Sequence, residues 1–144
     1  MKQSVVLSII GRQSYLDQEP EQLELLLIPG GMGSVYGMQG SPAARELVRN
    51  AVAQDRWVAA ICAAPTVLAG MGLLEGKRAV CYPDMKDQMA GAEFLPDTEV
   101  AVSGRIITGQ AAGSAFSFGL KLVEALWGAE TAEKVRKDVH YHHE

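Results

Sequence analysis

The run Trp57-Val58-Ala59-Ala60-Ile61-Cys62-Ala63-Ala64-Pro65 constrains this chain more than any other stretch. Val58 to Ile61 is a short apolar segment, the pattern of a strand buried on both faces of a parallel sheet. It stops at Cys62, and Ala63 and Ala64 are small enough for a sharp turn. Pro65 has no backbone N–H to lose and suits the first turn of a helix, so the apolar stretch Thr66 to Leu74 is expected to be that helix. A strand that turns directly into a helix calls for a layered α/β architecture. It also puts a thiol on the turn, facing the positive end of a helix, which favours thiolate over thiol. The arrangement has the shape of a nucleophile elbow with Cys in place of Ser.

The same alternation recurs along the chain. Ser4 to Ile10 reads as a β-branched strand, Gly11 to Gln22 as a polar loop, and Leu23 to Ile28 as a second strand cut off by Pro29-Gly30-Gly31. The glycine-rich stretch through Gly40 reads as a long connection. Ser41-Pro42 is a helix start, an N-cap residue followed by Pro. That helix should run to about Gln54 with Ala44, Leu47, Val48 and Ala51 on its apolar face. Arg78 to Tyr82 reads as a short strand and Pro83 to Gly91 as a short polar helix or turn. Glu99 to Val102 and Arg105 to Thr108 read as a hairpin turning at Ser103-Gly104, followed by a flexible Gly109 to Gly113 loop. Ser114 to Trp127 is the strongest helix, with Phe116, Leu120, Val123 and Trp127 as its core face and Gly128 closing it. Glu130 to Lys137 adds a final amphipathic turn or two. Strands alternating with helices imply one domain, residues 1–144, built on an open, mostly parallel sheet with helices on both faces. Ligands in such sheets sit outside the carboxyl ends of the strands. Gly30-Gly31, Cys62, Tyr82 and the Gly109 to Gly113 loop all fall there.

Composition removes several function classes. The 144 residues carry 13 Lys and Arg against 17 Asp and Glu, a formal charge of −4 with no basic stripe, which argues against nucleic acid. No apolar run is long enough to span a bilayer. Two cysteines in a chain of this size do not make a disulfide framework, and a reducing cytoplasm is the simplest location. Gly31-x-Gly33 does not extend to a dinucleotide fingerprint, because Tyr36 occupies the third glycine position. No cofactor is expected.

Each candidate residue has two readings. Cys62 is either a nucleophilic, oxidation-prone thiol or a core cysteine. Gly30, Gly31 and Ala63 are either a backbone pocket, with the Gly31 and Ala63 N–H groups aimed at an oxyanion, or an ordinary turn at a strand end. The Tyr82 phenol either donates to a carbonyl oxygen or is a half-buried aromatic. Cys81 reads as inert core packing, with Tyr82 directed to the opposite face. His140, His142 and His143 read as part of a frayed terminus rather than a metal site, so no metal is expected.

The runs Ile28-Pro29-Gly30-Gly31, Ala60-Ile61-Cys62-Ala63-Ala64-Pro65, Cys81-Tyr82-Pro83 and Ile107-Thr108-Gly109-Gln110 resemble the ThiJ/PfpI superfamily, DJ-1 branch. The likeness extends from about Leu23 to the C-terminus. It implies a flavodoxin-like sheet, a homodimer, and the elbow cysteine as reactive centre. Activities attributed to the branch include cofactor-independent glyoxalase, removal of glycation adducts, redox sensing and chaperone action. Tyr82 stands where some relatives place a pocket His. Cys-His proteases of the superfamily carry His directly after the elbow Cys; here Ala63 stands there, so proteolysis is not expected. Gly109 and Ala111-Ala112 replace the Ser and Gly-Pro common in that loop. Relatives also begin with a strand, a helix and a strand that bring a Glu to the cysteine sulfur. No carboxylate here matches it, so an N-terminally truncated domain is expected. Three functions follow as expectations: Cys62 acts on reactive 2-oxoaldehydes or their glycation adducts; Cys62 serves as a non-enzymatic redox sensor or stress chaperone; or the domain is incomplete and inactive.

Overall fold

The computed structural model describes residues 24–142. The expected strand from Ser4 to Ile10, the loop after it, and His143 lie outside the described residues. Four strands form the main sheet: β1 (Leu25–Ile28), β2 (Trp57–Ile61), β5 (Val100–Ser103) and β6 (Ile106–Gly109), in the order β1-β2-β6-β5. β1, β2 and β6 run parallel, with Leu26 opposite Val58 and Val58 opposite Ile106; β5 returns antiparallel to β6. A second, two-stranded parallel sheet pairs β3 (Arg78–Ala79) with β4 (Glu93–Phe94). The mostly parallel, helix-flanked arrangement is a flavodoxin-like α/β fold.

Side-chain alternation along these strands separates two apolar clusters. Leu26, Ile28, Val58, Ala60 and Ile106 face α1 (Met32–Gln39), α2 (Pro42–Ala53) and α3 (Pro65–Gly70), packing with Val35, Met38, Leu47, Val48 and Leu68. Ala59 and Ile107 face the other way, onto Phe118 of α4 (Ala115–Trp127). Each fully buried Leu or Ile on the first face contributes roughly 1.5–3 kcal/mol. The expected capping of α2 is present: the Ser41 hydroxyl accepts from the Ala44 N–H at 3.2 Å, and Ala44, Leu47, Val48 and Ala51 are its buried residues.

Four local expectations are corrected. The glycine-rich stretch before Gly40 is not a connection but the helix α1, which buries Ser34, Val35 and Met38. Tertiary packing overrides its two interior glycines, and Arg45 of α2 donates to the Met38 carbonyl at 2.9 Å and to the Gln39 carbonyl, tying down the end of α1. α3 stops at Gly70 rather than Leu74. Leu73 N–H donates to Leu68 O and Gly72 N–H to Ala69 O, with Gly72 at φ +76, the hydrogen-bond pattern of a Schellman stop. The hairpin turns one residue later than expected, because Ser103 pairs with Ile106 and leaves Gly104 and Arg105 at the tip.

The fourth correction concerns α4. Phe116 and Trp127 are 61% and 57% exposed, and the residue buried on the sheet is Phe118, supported by Leu122 and Ala125. The helix is apolar on two stripes, so spacing alone fits either. The Phe116 and Leu120 side instead meets α5 (Ala129–Asp138) and the C-terminal residues, where Phe116 stacks on Tyr141 at 5.5 Å. Tyr141 is not frayed: its hydroxyl lies 2.6 Å from the Ser117 hydroxyl, and Arg136 donates to its carbonyl at 2.9 Å. None of the helices among the described residues is long and apolar enough to cross a membrane.

Candidate active site

β2 ends at Ile61, α3 begins at Pro65, and Cys62 takes the bend between them with φ +64. Left-handed backbone costs an L-residue roughly 1–2 kcal/mol, so the surrounding contacts must hold it there. Two hydrogen bonds do so. The Cys62 N–H donates to the Gly109 carbonyl at 3.0 Å, and the Cys62 carbonyl accepts from the Tyr82 N–H at 2.8 Å. The bend itself is closed by Ala64 N–H donating to Ile61 O, and by Thr66, whose hydroxyl donates to Ala63 O at 2.6 Å. Two segments distant in sequence, those of Tyr82 and Gly109, are thereby fixed to one residue. Cys62 as a residue is partly exposed.

Gly30, at the end of β1, completes the bend. A Cβ placed there would lie 2.7 Å from Cys62 Cβ, 2.9 Å from Ile61 O and 3.6 Å from the Cys62 sulfur. The residue is therefore a glycine because another strand end occupies its side-chain space. Gly31 follows at φ +95 as the N-cap of α1. Among the described residues, neither the Gly31 nor the Ala63 N–H enters a backbone hydrogen bond outside the regular elements. Ala63 is buried beneath the turn. Tyr82 is 42% exposed, and its backbone N–H makes the hydrogen bond to the bend. Gly30, Cys62 and Tyr82 are thus brought together, with Gly31 and Ala63 next to them in the chain.

Gly109, expected at the same strand ends, and Cys81, expected as inert core, both join this group. Gly109 belongs to β6 and supplies the acceptor for Cys62, although its loop was expected to be flexible; the run Ile107-Thr108-Gly109-Gln110 carried the signal. Cys81 is fully buried, and its thiol donates to the Tyr82 carbonyl at 3.2 Å. Burial, together with the nearby charge of Cys62, pushes its pKa up to about 11. Its segment is pinned from behind by the buried Thr108 hydroxyl, which accepts from the Val80 N–H at 3.0 Å. No group of three or more His, Cys, Asp or Glu able to hold a metal occurs among the described residues.

A thiol on a strained strand–helix bend, beside the Gly31 and Ala63 amides, can add to an electrophilic carbon or be oxidised. The comparisons with known proteins fit that geometry. The family model described as "DJ-1/PfpI family" matches residues 3–125. The chain is 36% identical over 118 residues to protein dj-1beta of Drosophila melanogaster, covering 81% of this chain and 63% of that protein. It is 36% identical over 123 residues to the glutathione-independent glyoxalase DJR-1.2 of Caenorhabditis elegans, covering 84% of this chain and 64% of that one. The crystal structure of Drosophila melanogaster DJ-1beta superposes with a TM-score of 0.80 at 35% identity, over 84% of this chain and 66% of that chain. The chain therefore spans somewhat less than two thirds of the length of these two curated relatives.

Proposed function

This chain belongs to the DJ-1/PfpI family, and from that premise we propose that it acts on small 2-oxoaldehydes, or their glycation adducts, through Cys62. The observation that carries the reading is the partly exposed cysteine held at φ +64 on the bend between β2 and α3. The similarity to a relative named a glutathione-independent glyoxalase supports the choice of substrate class.

The Cys62 sulfur adds to the aldehyde carbon and the carbonyl electron pair moves onto oxygen. The Gly31 and Ala63 N–H groups hold that oxyanion. Protonation gives a hemithioacetal. A base then moves the proton from this carbon to the neighbouring carbonyl carbon while oxygen takes up the balancing proton, and a thioester of a 2-hydroxy acid results. Water hydrolyses the thioester and restores the thiol. The Tyr82 phenol can donate to the second carbonyl oxygen. The proton transfer needs a base, which the residues named above do not supply, so slow turnover by them alone is expected. No metal or cofactor enters these steps, and a homodimer is part of the same reading.

Methylglyoxal consumption by the wild type and by Cys62→Ser tests the proposal. Loss of consumption in the variant is expected; equal rates would end the enzymatic reading. Circular dichroism melting and light scattering on the same samples test whether the chain is an incomplete domain: a cooperative melt and a defined dimer are expected.

A further inference from the structure

Cys62 and Cys81 are the two cysteines of this chain, and both belong to one knot of backbone. The Tyr82 N–H donates to the Cys62 carbonyl at 2.8 Å. Each Cα is about 2.4 Å from its end of that hydrogen bond, so the two cysteine Cα atoms are at most roughly 7.6 Å apart. A disulfide spans Cα separations of about 4.4–6.8 Å. Cys62 is reachable from solvent; Cys81 is not. A small oxidant therefore meets Cys62 first.

We propose that Cys81 is the resolving thiol of Cys62, so that oxidation of this site ends in an intrachain Cys62–Cys81 disulfide. The proposal rests on the reading above that Cys62 is reactive. The co-reactant is a hydroperoxide. The Cys62 thiolate attacks the peroxide oxygen, the O–O bond breaks, and Cys62 becomes a sulfenic acid while hydroxide (or alkoxide) leaves. The Cys81 sulfur then attacks the Cys62 sulfur, the S–O bond breaks, and the Cys81 proton leaves with that oxygen as water. Two electrons pass from the two sulfurs to one peroxide. The environment of Cys81 sets the order of events. Burial first, and a charge on Cys62 second, favour the protonated form of Cys81. Conversion of Cys62 to a neutral sulfenic acid removes that second influence when Cys81 is needed. Thr108 contributes by holding the strand end that carries Cys81.

The test is peroxide treatment of the full chain, followed by alkylation and non-reducing peptide mapping. Trypsin separates the cysteines into residues 57–77 and 79–86, so an intrachain bond links two peptides in a protein that still runs as a monomer under denaturing conditions. The expected result is that linked pair, short of two hydrogens and released by reductant. In Cys81→Ala, Cys62 should instead be trapped by dimedone about tenfold more than in wild type and then proceed to sulfinic acid; a thermal melt confirms that this variant is folded, and the wild-type map decides the matter without it. Oxygen uptake at Cys62 with Cys81 still alkylatable in the unfolded protein would overturn the resolving role and leave Cys62 a reactive thiol. A disulfide between chains would also overturn it. Inertness of both cysteines would remove this proposal and the enzymatic one together.

Discussion

Gly30 and Cys62 share one space: a methyl group on Gly30 would lie 2.7 Å from the Cys62 Cβ, closer than carbon atoms pack. It would also lie 2.9 Å from the Ile61 carbonyl oxygen, which is backbone and cannot rotate away. Gly30→Ala must therefore displace the strand end or the bend. Destabilisation of about 1–3 kcal/mol is expected, as for other overpacked sites. Urea unfolding of the variant measures it. The iodoacetamide rate of Cys62 should change as well; an unchanged rate with unchanged stability would mean that the two strand ends are less closely packed than described.

The positive φ of Cys62 leads to a prediction of opposite sign for stability. Cys62→Gly removes the thiol and also the left-handed strain, whereas Cys62→Ala removes the thiol alone. The glycine variant should be more stable than the alanine variant by up to about 1 kcal/mol, after its larger unfolded-state entropy is deducted. Cys62→Val should be the least stable of the three, since a β-branched residue tolerates this conformation poorly. Thermal melts of the three variants rank them; alanine above glycine would show that the bend relaxes without its native side chain.

What could be read from sequence followed from how local the physics was. The α2 cap needs Ser41 and Pro42 side by side, and its buried face repeats at helical spacing, so both were legible. The bend at Cys62 was legible because an apolar strand, two small residues and a proline stand in succession. α1 was not, since two glycines lie inside it and its stability comes from α2 and α3, which only the fold brings near. On α4, two apolar stripes compete, and the presence of α5 and Tyr141 decides which one meets the sheet. Cys81 was readable as core, but its nearness to Cys62 depends on a hydrogen bond between segments far apart in the chain.

Thr108 and Val80 define a support behind the site. The Thr108 hydroxyl accepts the buried Val80 N–H at 3.0 Å, so Thr108→Val keeps the shape and orphans a buried donor. The expected cost is about 1–3 kcal/mol. Thr108→Ser retains the acceptor and should recover most of the hydrogen-bond contribution, less the lost methyl. Hydrogen exchange at the Val80 amide gives the direct reading: strong protection in wild type and the serine variant, and faster exchange in the valine variant. Equal protection in all three would mean that another acceptor holds this segment.

Cys81 gives the fold a signature at alkaline pH. Burial, and next the charge of Cys62, raise its pKa from 9.0 to about 11. The folded chain thus keeps a proton that the unfolded chain has already released between these values. Stability is unaffected by this group below pH 9, falls as pH rises from about 9 to about 11, and levels off above that. A shift of about two units corresponds to roughly 2–3 kcal/mol across the window. Urea denaturation in that range should show the loss in wild type. Cys81→Ala starts from lower stability, because it leaves a small void, but its curve should be flatter over the same window. A wild-type slope that persists unchanged in Cys81→Ala would assign the alkaline loss to other groups, with Cys81 ionising as readily in the folded chain as in the unfolded one.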